Sequence, residues 1–411
     1  MNIENAREGR SALIIGFDTP APVDYGGIYD VMSRAKNLRN LGFSIDYIGV
    51  TVDNVRFGKW QRDEGRTKEI FRKCVVLKGK KTLRSILSSI PASALIRRVD
   101  IPNDIQMHVR QTNYSVVIVD HIKMVPFALK LLAGRCRDLR LRLHNDEAEY
   151  YSSVASRENN KLKAFIQRLE SWKYRKFQQK VLRCRKFSRF YFISERDRIR
   201  MSDREDKRCR ILPVAPNFER NSEWQNSPRV QDNSFLFVGN LELRENVLGL
   251  RAALSFLSTY RIQGNSVLVC GRCRDEATQL KIQREVSDFV SCRFLFNASD
   301  EELRVAYRSA KFFLNFSVSV GGVKTKLIDA LSNDLVVITN LEGVQGSGLD
   351  DACLMASSNT ASIISAALSS DAEYERIRTE LQQAIRSYAR MTQIAYQEEF
   401  CSEHGVGTHG V

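Results

Sequence analysis

The chain has 411 residues, 43% of them hydrophobic and 27% charged, which is the balance of a globular protein too long for one ordinary core. Its formal charge of +15 predicts attraction to phosphate-bearing ligands, nucleic acid or anionic lipid without choosing among them. No apolar run approaches the roughly 20 residues that span a bilayer, and the nine cysteines are scattered as reduced thiols of a cytoplasmic protein would be.

Ser11 to Phe17 is a continuous apolar run of strand length, stopped by Asp18 and two prolines, and suits a buried parallel strand better than a signal sequence. Gly26 and Gly27 then predict a glycine loop before a helix with apolar spacing at Ile28, Met32, Ala35 and Leu38, ended by Gly42; Phe43 to Val50 is the next strand. This is a βαβ order whose loop lies at the carboxyl edge of the sheet, where such folds bind ligands, although the dinucleotide glycine spacing is missing and an ordinary tight turn is the plainer alternative. From Arg56 to Arg98 the pattern weakens to charge-rich pieces around a strand at Val75 to Leu77 and an amphipathic stretch at Leu83 to Ile96. Tyr114 to Val119 reads as a strand closed by Asp120 and His121, Met124 to Leu132 as its helix, and Leu139 to Leu143 as a strand ending in His144-Asn145-Asp146-Glu147. Of the two strand-end histidines, His121 suits a hydrogen-bonded edge residue and His144, in the denser polar cluster, is the functional candidate.

Lys161 to Phe187 is a long helical pattern with a broad apolar set among many basic residues, opposed only by Glu170; a solvated face is the ordinary meaning, a membrane surface or polyanion the functional one. Arg189 to Ile193 returns to strand, Ser194 caps a short helix, and Pro213 to Pro228 reads as a linker. The second half alternates strands at Ser234–Val238, Ser266–Cys270, Cys292–Leu295, Phe312–Phe316 and Val336–Thr339 with helices, one of them opened by the capping box Ser299-Asp300-Glu301-Glu302. Cys270-Gly-Arg-Cys273 has no second pair to complete a zinc site, so no metal is expected. Asp371 to Phe400 is a closing helical region. Between Asn315 and Leu349, Gly321 and Gly322 precede a helix whose opening carries Lys324 and Lys326. A helix N-terminus favours negative charge, so lysines there predict an anionic partner such as phosphate. The plainer alternative is a pair of solvated lysines.

Several of these stretches resemble family 4-type (group 1) glycosyltransferases. FLFVGNLELRENVLGL resembles the family's strand, glycine turn and asparagine-headed helix, VLVCGR its next strand, SDEELRVAYRSAKFFLNFS its capped helix and strand, and GGVKTKLIDALSNDLVVITNLEGVQG its donor-site helix and glycine loop. DTPAPVDYGG and LRLHNDEAEYY in the first half resemble its sugar-diphosphate loop and its strand with a sugar-contacting histidine. The resemblance implies an α/β protein of GT-B fold, two Rossmann-like domains facing across a cleft: residues 1–215 on the acceptor side, 216–384 binding nucleotide-sugar, and residues 385–411 packing back on the first domain. It implies a hexosyltransferase-like enzyme that moves a sugar from a UDP- or GDP-sugar to a hydroxyl, lipid-linked or on a polysaccharide precursor, with retention and without metal or other cofactor. His144, Lys324 and Arg244 are implied as catalytic, and Gly26, Gly27, Gly239, Asn246, Gly322, Lys326, Asp329 and Gly343 as donor-binding, with Asp329 gripping the ribose hydroxyls. Two departures stand out: Gly321 replaces the family's first donor-site glutamate, and Glu245 rather than a basic residue precedes Asn246. The implied setting is cytoplasmic, resting peripherally on an anionic membrane. The competing readings are a catalytically silent sugar-nucleotide binder and a basic nucleic-acid-binding protein; the latter lacks any recognisable motif, and no nucleic-acid partner is expected.

Overall fold

The computed structural model describes residues 9–23, 25–62, 64–80, 88–136, 138–203, 205–216, 233–262, 266–318 and 321–401. The chain divides into two compact units, Met1–Ala215 with Thr392–Val411, and Pro216–Met391.

Unit 1 runs β1 (Ser11–Gly16), α1 (Gly26–Asn40), β2 (Ser44–Thr51), α2 (Asn54–Arg62), β3 (Lys73–Lys78), α3 (Ala92–Leu95), α4 (Asn103–Gln111), β4 (Val116–Asp120), α5 (Val125–Leu132), β5 (Leu139–Leu143), α6 (Glu147–Arg157), α7 (Lys161–Leu182), β6 (Arg189–Phe192), α8 (Glu195–Met201) and β7 (Cys209–Ile211). Its seven strands are parallel in the order β3-β2-β1-β4-β5-β6-β7. The central strands are buried on both faces, as the unbroken apolar runs at Ser11–Gly16 and Val116–Asp120 require. Register pairs Ile14 with Tyr47 and with Ile118. The glycine pair does not form a loop. Gly26 and Gly27 are the first residues of α1, with Tyr25 as N-cap. A first helical turn needs no intrahelical partner for its N–H groups, and a Cβ on Gly27 would lie 2.7 Å from the Phe17 ring, so glycine here lets the helix start close against β1. The amphipathic stretch expected from Leu83 lies partly outside the described residues, and its described end forms only the short α3.

Unit 2 runs β8 (Asn233–Asn240), α9 (Arg244–Thr259), β9 (Val267–Arg272), α10 (Glu276–Val286), β10 (Cys292–Phe296), α11 (Asp300–Arg308), β11 (Ala310–Asn315), α12 (Thr325–Ser332), β12 (Val336–Thr339), α13 (Leu341–Val344), β13 (Cys353–Met355), α14 (Ser358–Ser369) and α15 (Asp371–Cys401). Six parallel strands lie in the order β10-β9-β8-β11-β12-β13. The capping box forms: Ser299 Oγ accepts from Glu302 N–H, and the Glu302 carboxylate accepts from Ser299 N–H at 2.8 Å. Helix α15 begins in unit 2, where Tyr374 and Ile377 join its core, and ends in unit 1, where Tyr396 and Phe400 join the other. Most of the expected linker, Pro213 to Pro228, lies outside the described residues, from residue 217 onward. No helix among the described residues is long and apolar enough to cross a membrane.

Candidate functional site

In unit 1 the neighbouring strands β1, β4 and β5 all release polar side chains at their carboxyl ends. After β1, Asp18 accepts from Thr51 Oγ1 (2.5 Å), the Tyr25 hydroxyl (2.7 Å) and Thr19 N–H (2.8 Å), and pairs with Arg56 Nε at 3.2 Å. Next to it, five fully or nearly buried charged and polar groups form one network. Arg142, on β5, donates to both oxygens of Asp30 (2.9 and 2.8 Å), while Arg34 bridges Asp30 at 3.2 Å and Asp120. His144 Nε2 bonds the other oxygen of Asp120. Burial pushes the Asp30 carboxyl up, but Arg142 and Arg34 outweigh it and hold the group well below the usual carboxylate range. Asp30, Asp120 and His144 bring donor atoms close enough for a cation. Two guanidinium groups already supply their counter-charge, so this donor set does not fit a divalent metal.

The two histidines stack at 5.3 Å between ring centres but are bound differently. His121 Nδ1 accepts from Lys123 N–H and its Nε2 lies 3.1 Å from Glu147 Oε1, so both nitrogens are used. Burial, with Lys123 adding repulsion, lowers its pKa to about 3, and the ring is neutral at ordinary pH. His144 uses only Nε2, against Asp120, and Nδ1 has no partner among the described residues. A carboxylate on one ring nitrogen fixes the tautomer and the ring's orientation and leaves the other nitrogen for a contact with a hydroxyl. Beside this strand end, α6, α7 and α8 enclose a polar cavity of about 530 Å³ lined by Asp146, Glu149, Ser152, Gln178 and Arg200. Gly26 and Gly27 are in α1, which also carries Asp30 and Arg34.

In unit 2 the expected donor residues gather at the carboxyl ends of β8, β11 and β12. Gly239 sits next to Asn246, whose Nδ2 donates to Asn240 O at 2.8 Å and pins the turn into α9. Gly321 and Gly322 both have positive φ, 113° and 61°, where a side chain would be strained. Lys324 is the N-cap of α12 rather than a first-turn residue; its side chain does not cap the helix but folds back, Nζ donating to Gly321 O at 3.0 Å. Lys326 lies in the first turn, 4.8 Å from the centre of the Phe237 ring. Burial and, second, the repulsion of Lys324 lower its pKa to about 8, against a weaker pull from Glu245. Asp329 follows on the same helix, half-buried. Gly343 is required by packing: a Cβ there would fall 2.1 Å from Asn315 O, so the short α13 can sit against the end of β11 only without one. Arg244 is turned elsewhere, its Nη1 held 2.7 Å from Glu285 of α10.

Sequence reasoning missed Asp30, Arg34 and Arg142. Their signal was present: Arg140 and Arg142 interrupt a strand of otherwise apolar residues, and an arginine inside a buried strand needs a carboxylate facing it.

No family model matches the chain. A curated Klebsiella pneumoniae protein described as an uncharacterised 44.6 kDa protein in the cps region is 24% identical over 345 residues, 82% of this chain and 84% of that one. Among solved structures, Anabaena Alr3699/HepE in complex with UDP and glucose is 10% identical, with a TM-score of 0.59 over 94% of this chain and 97% of that one. WaaG, described as a glycosyltransferase involved in lipopolysaccharide biosynthesis, is 13% identical with a TM-score of 0.58, covering 95% of this chain and all of WaaG. The fold is GT-B. At these identities the likeness is one of architecture, and it agrees with the two parallel sheets of seven and six strands.

Proposed function

We propose that the chain is a glycosyltransferase that moves a sugar from a nucleotide-sugar to a hydroxyl of a polysaccharide or lipid-linked precursor, retaining the anomeric configuration without a metal. The observation that carries this reading is Lys326: a half-buried ammonium at the opening of α12, with no ion pair among the described residues, its pKa lowered to about 8. A cation kept in so unfavourable a place calls for an anionic ligand, and a helix N-terminus behind two glycines of positive φ favours a diphosphate. In the transfer, the bond between the anomeric carbon and the diphosphate oxygen breaks with its electron pair leaving on the diphosphate. The acceptor oxygen bonds to that carbon and passes its proton to the departing diphosphate oxygen. Lys324 and Lys326 stabilise the charge developing on the leaving group, and Asp329 accepts hydrogen bonds from the ribose. On unit 1, His144 offers an unpartnered ring nitrogen and the adjacent cavity a lining of carboxylates, hydroxyls and amides suited to a polyhydroxylated acceptor. Support also comes from the neighbours, one of which binds UDP and glucose while another acts in lipopolysaccharide biosynthesis.

Incubation with a panel of UDP- and GDP-sugars, with and without glycan acceptors, tests this through release of nucleoside diphosphate. Turnover with one donor is expected; tight nucleotide binding without turnover over the whole panel would make the chain a silent sugar-nucleotide binder.

A further inference from the structure

Helix α7 has an outward face unlike any ordinary solvated helix. Asn160 starts it, its Oδ1 accepting from the N–H groups of Leu162 and Lys163. One side is firmly seated: Ala164, Tyr174, Gln178, Val181 and Leu182 are buried in unit 1. The other side exposes Leu162 (68%), Phe165 (63%), Ile166 (36%) and Trp172 (50%), with half-buried Leu169 between them, at helical spacings of three and four that place them along one stripe. Every exposed charge on the helix is positive: Lys161, Lys163, Arg168, Arg175, Lys176 and Lys180. The single acid, Glu170, is turned inward, bonded to Lys173 Nζ at 2.9 Å and to Ala92 N–H at 2.8 Å. The nearest acid outside the helix in sequence is Glu158, half-buried in the turn before it, where it accepts from Asn160 N–H. Lys176 lies over the Trp172 ring at 4.0 Å.

We infer that this face of α7 docks on a lipid bilayer containing anionic headgroups. A continuous apolar stripe on a helix that is already anchored on its opposite side gains nothing from water. Aromatic and aliphatic side chains flanked by lysines and arginines are what an interfacial helix presents: the apolar residues enter the headgroup–acyl boundary and the long basic chains reach back to the phosphates. Charge complementarity selects this occupant. A second copy placed face to face would set cations against cations, and a nucleic acid would satisfy the lysines but leave Leu162, Phe165 and Ile166 uncovered. The inference goes beyond the transferase reading and stands without it, since no donor-site residue is part of the face.

The test is co-sedimentation of the whole protein with vesicles of phosphatidylcholine alone or mixed with phosphatidylglycerol, at physiological ionic strength, alongside nucleotide binding and thermal melting. Binding to the phosphatidylglycerol vesicles, a blue shift of tryptophan emission on binding, and weak association with phosphatidylcholine are expected. Phe165→Ser with Trp172→Ser lowers the partition coefficient by more than about ten-fold, and Lys161→Glu with Lys163→Glu by roughly five-fold for each charge removed, all with melting and nucleotide binding unchanged. Wild-type protein that stays in the supernatant, or variants that sediment as it does, would overturn the inference. So would concentration-dependent self-association abolished by the aromatic pair, because the face would then belong to a second copy. Vesicle binding without turnover of any donor would instead break the transferase reading and leave this one in place.

Discussion

Asp30, Arg34, Asp120 and Arg142 lie in unit 1 with opposite charges in contact, whereas at the opening of α12 in unit 2 the neighbouring charge that acts most on Lys326 is another lysine. The first cluster is closed: desolvation is offset by pairing, and nothing more is required to keep it charged. The second is open, because its charge is held against burial and repulsion together and is relieved when an anion arrives. A closed cluster resists removal of its members, while an open one responds to pH and ligand.

Breaking the closed cluster has the largest expected effect. Arg142→Leu leaves Asp30 buried with half its partners, which costs about 3–5 kcal/mol. Thermal melting of unit 1 then falls by roughly 10 °C; a loss under about 1 kcal/mol in urea titration would show that the network is not a clamp. In the open region, Asp329→Ala removes charge-assisted hydrogen bonds worth about 1.5–3 kcal/mol and weakens nucleotide binding ten- to a hundred-fold. Calorimetry checks this, and unchanged affinity would remove Asp329 from the site. Asp120→Asn and His144→Ala sharpen the contrast from the other side: both lower turnover more than nucleotide affinity, and an equal loss of both together with a lower Tm would make His144 a packing residue only.

Smaller effects are read from pH. Lys326 is charged below about 8, so diphosphate affinity is greatest there and declines as pH rises through that value; Lys326→Arg, which stays charged, flattens the profile. In unit 1, His121 has a folded pKa of about 3 against 6.5 when unfolded, so the unfolded chain takes up the proton first and stability declines as pH falls from 6.5 towards 3. Glu147 acts in the same direction. Burial raises its carboxyl, but Lys123 and His121 outweigh that and hold it well below its ordinary 4.5, so its contribution is lost as pH falls below that value. Urea titrations at pH 7 and pH 5 give the slope, which His121→Gln reduces.

Strands buried on both faces were legible in the sequence, and Leu139–Leu143 and Val336–Thr339 have the expected bounds, because an apolar run between turn residues has few other uses. Helices with mixed faces were not: α2, α4 and α6 were missed, since each is short and α6 opens inside the cluster His144-Asn145-Asp146-Glu147. Only the structure shows Asp146 as its N-cap, accepting from Glu149 N–H at 3.1 Å. The glycine pair misled for a related reason, as composition marks freedom of backbone but cannot distinguish a loop from a helix start pressed against Phe17. Nothing near His144 in the sequence shows its partner, because Asp120 sits 24 residues earlier and meets it only through β4–β5 pairing.

Helix α15 has one more consequence, for the order in which the chain acquires its shape. Its last turn lies in the core of unit 1, where Phe400 O accepts from Arg10 Nη1 at 3.2 Å and the Phe400 and Phe43 rings lie 6.3 Å apart. The packing around Phe43 therefore waits for the far end of α15, made only after all of unit 2. At ordinary rates, unit 2 is made in between over roughly ten to thirty seconds, during which Phe43 and Tyr191 lack the side chain that will cover them. Unit 2 is one continuous stretch and has no such wait, so it is complete before unit 1.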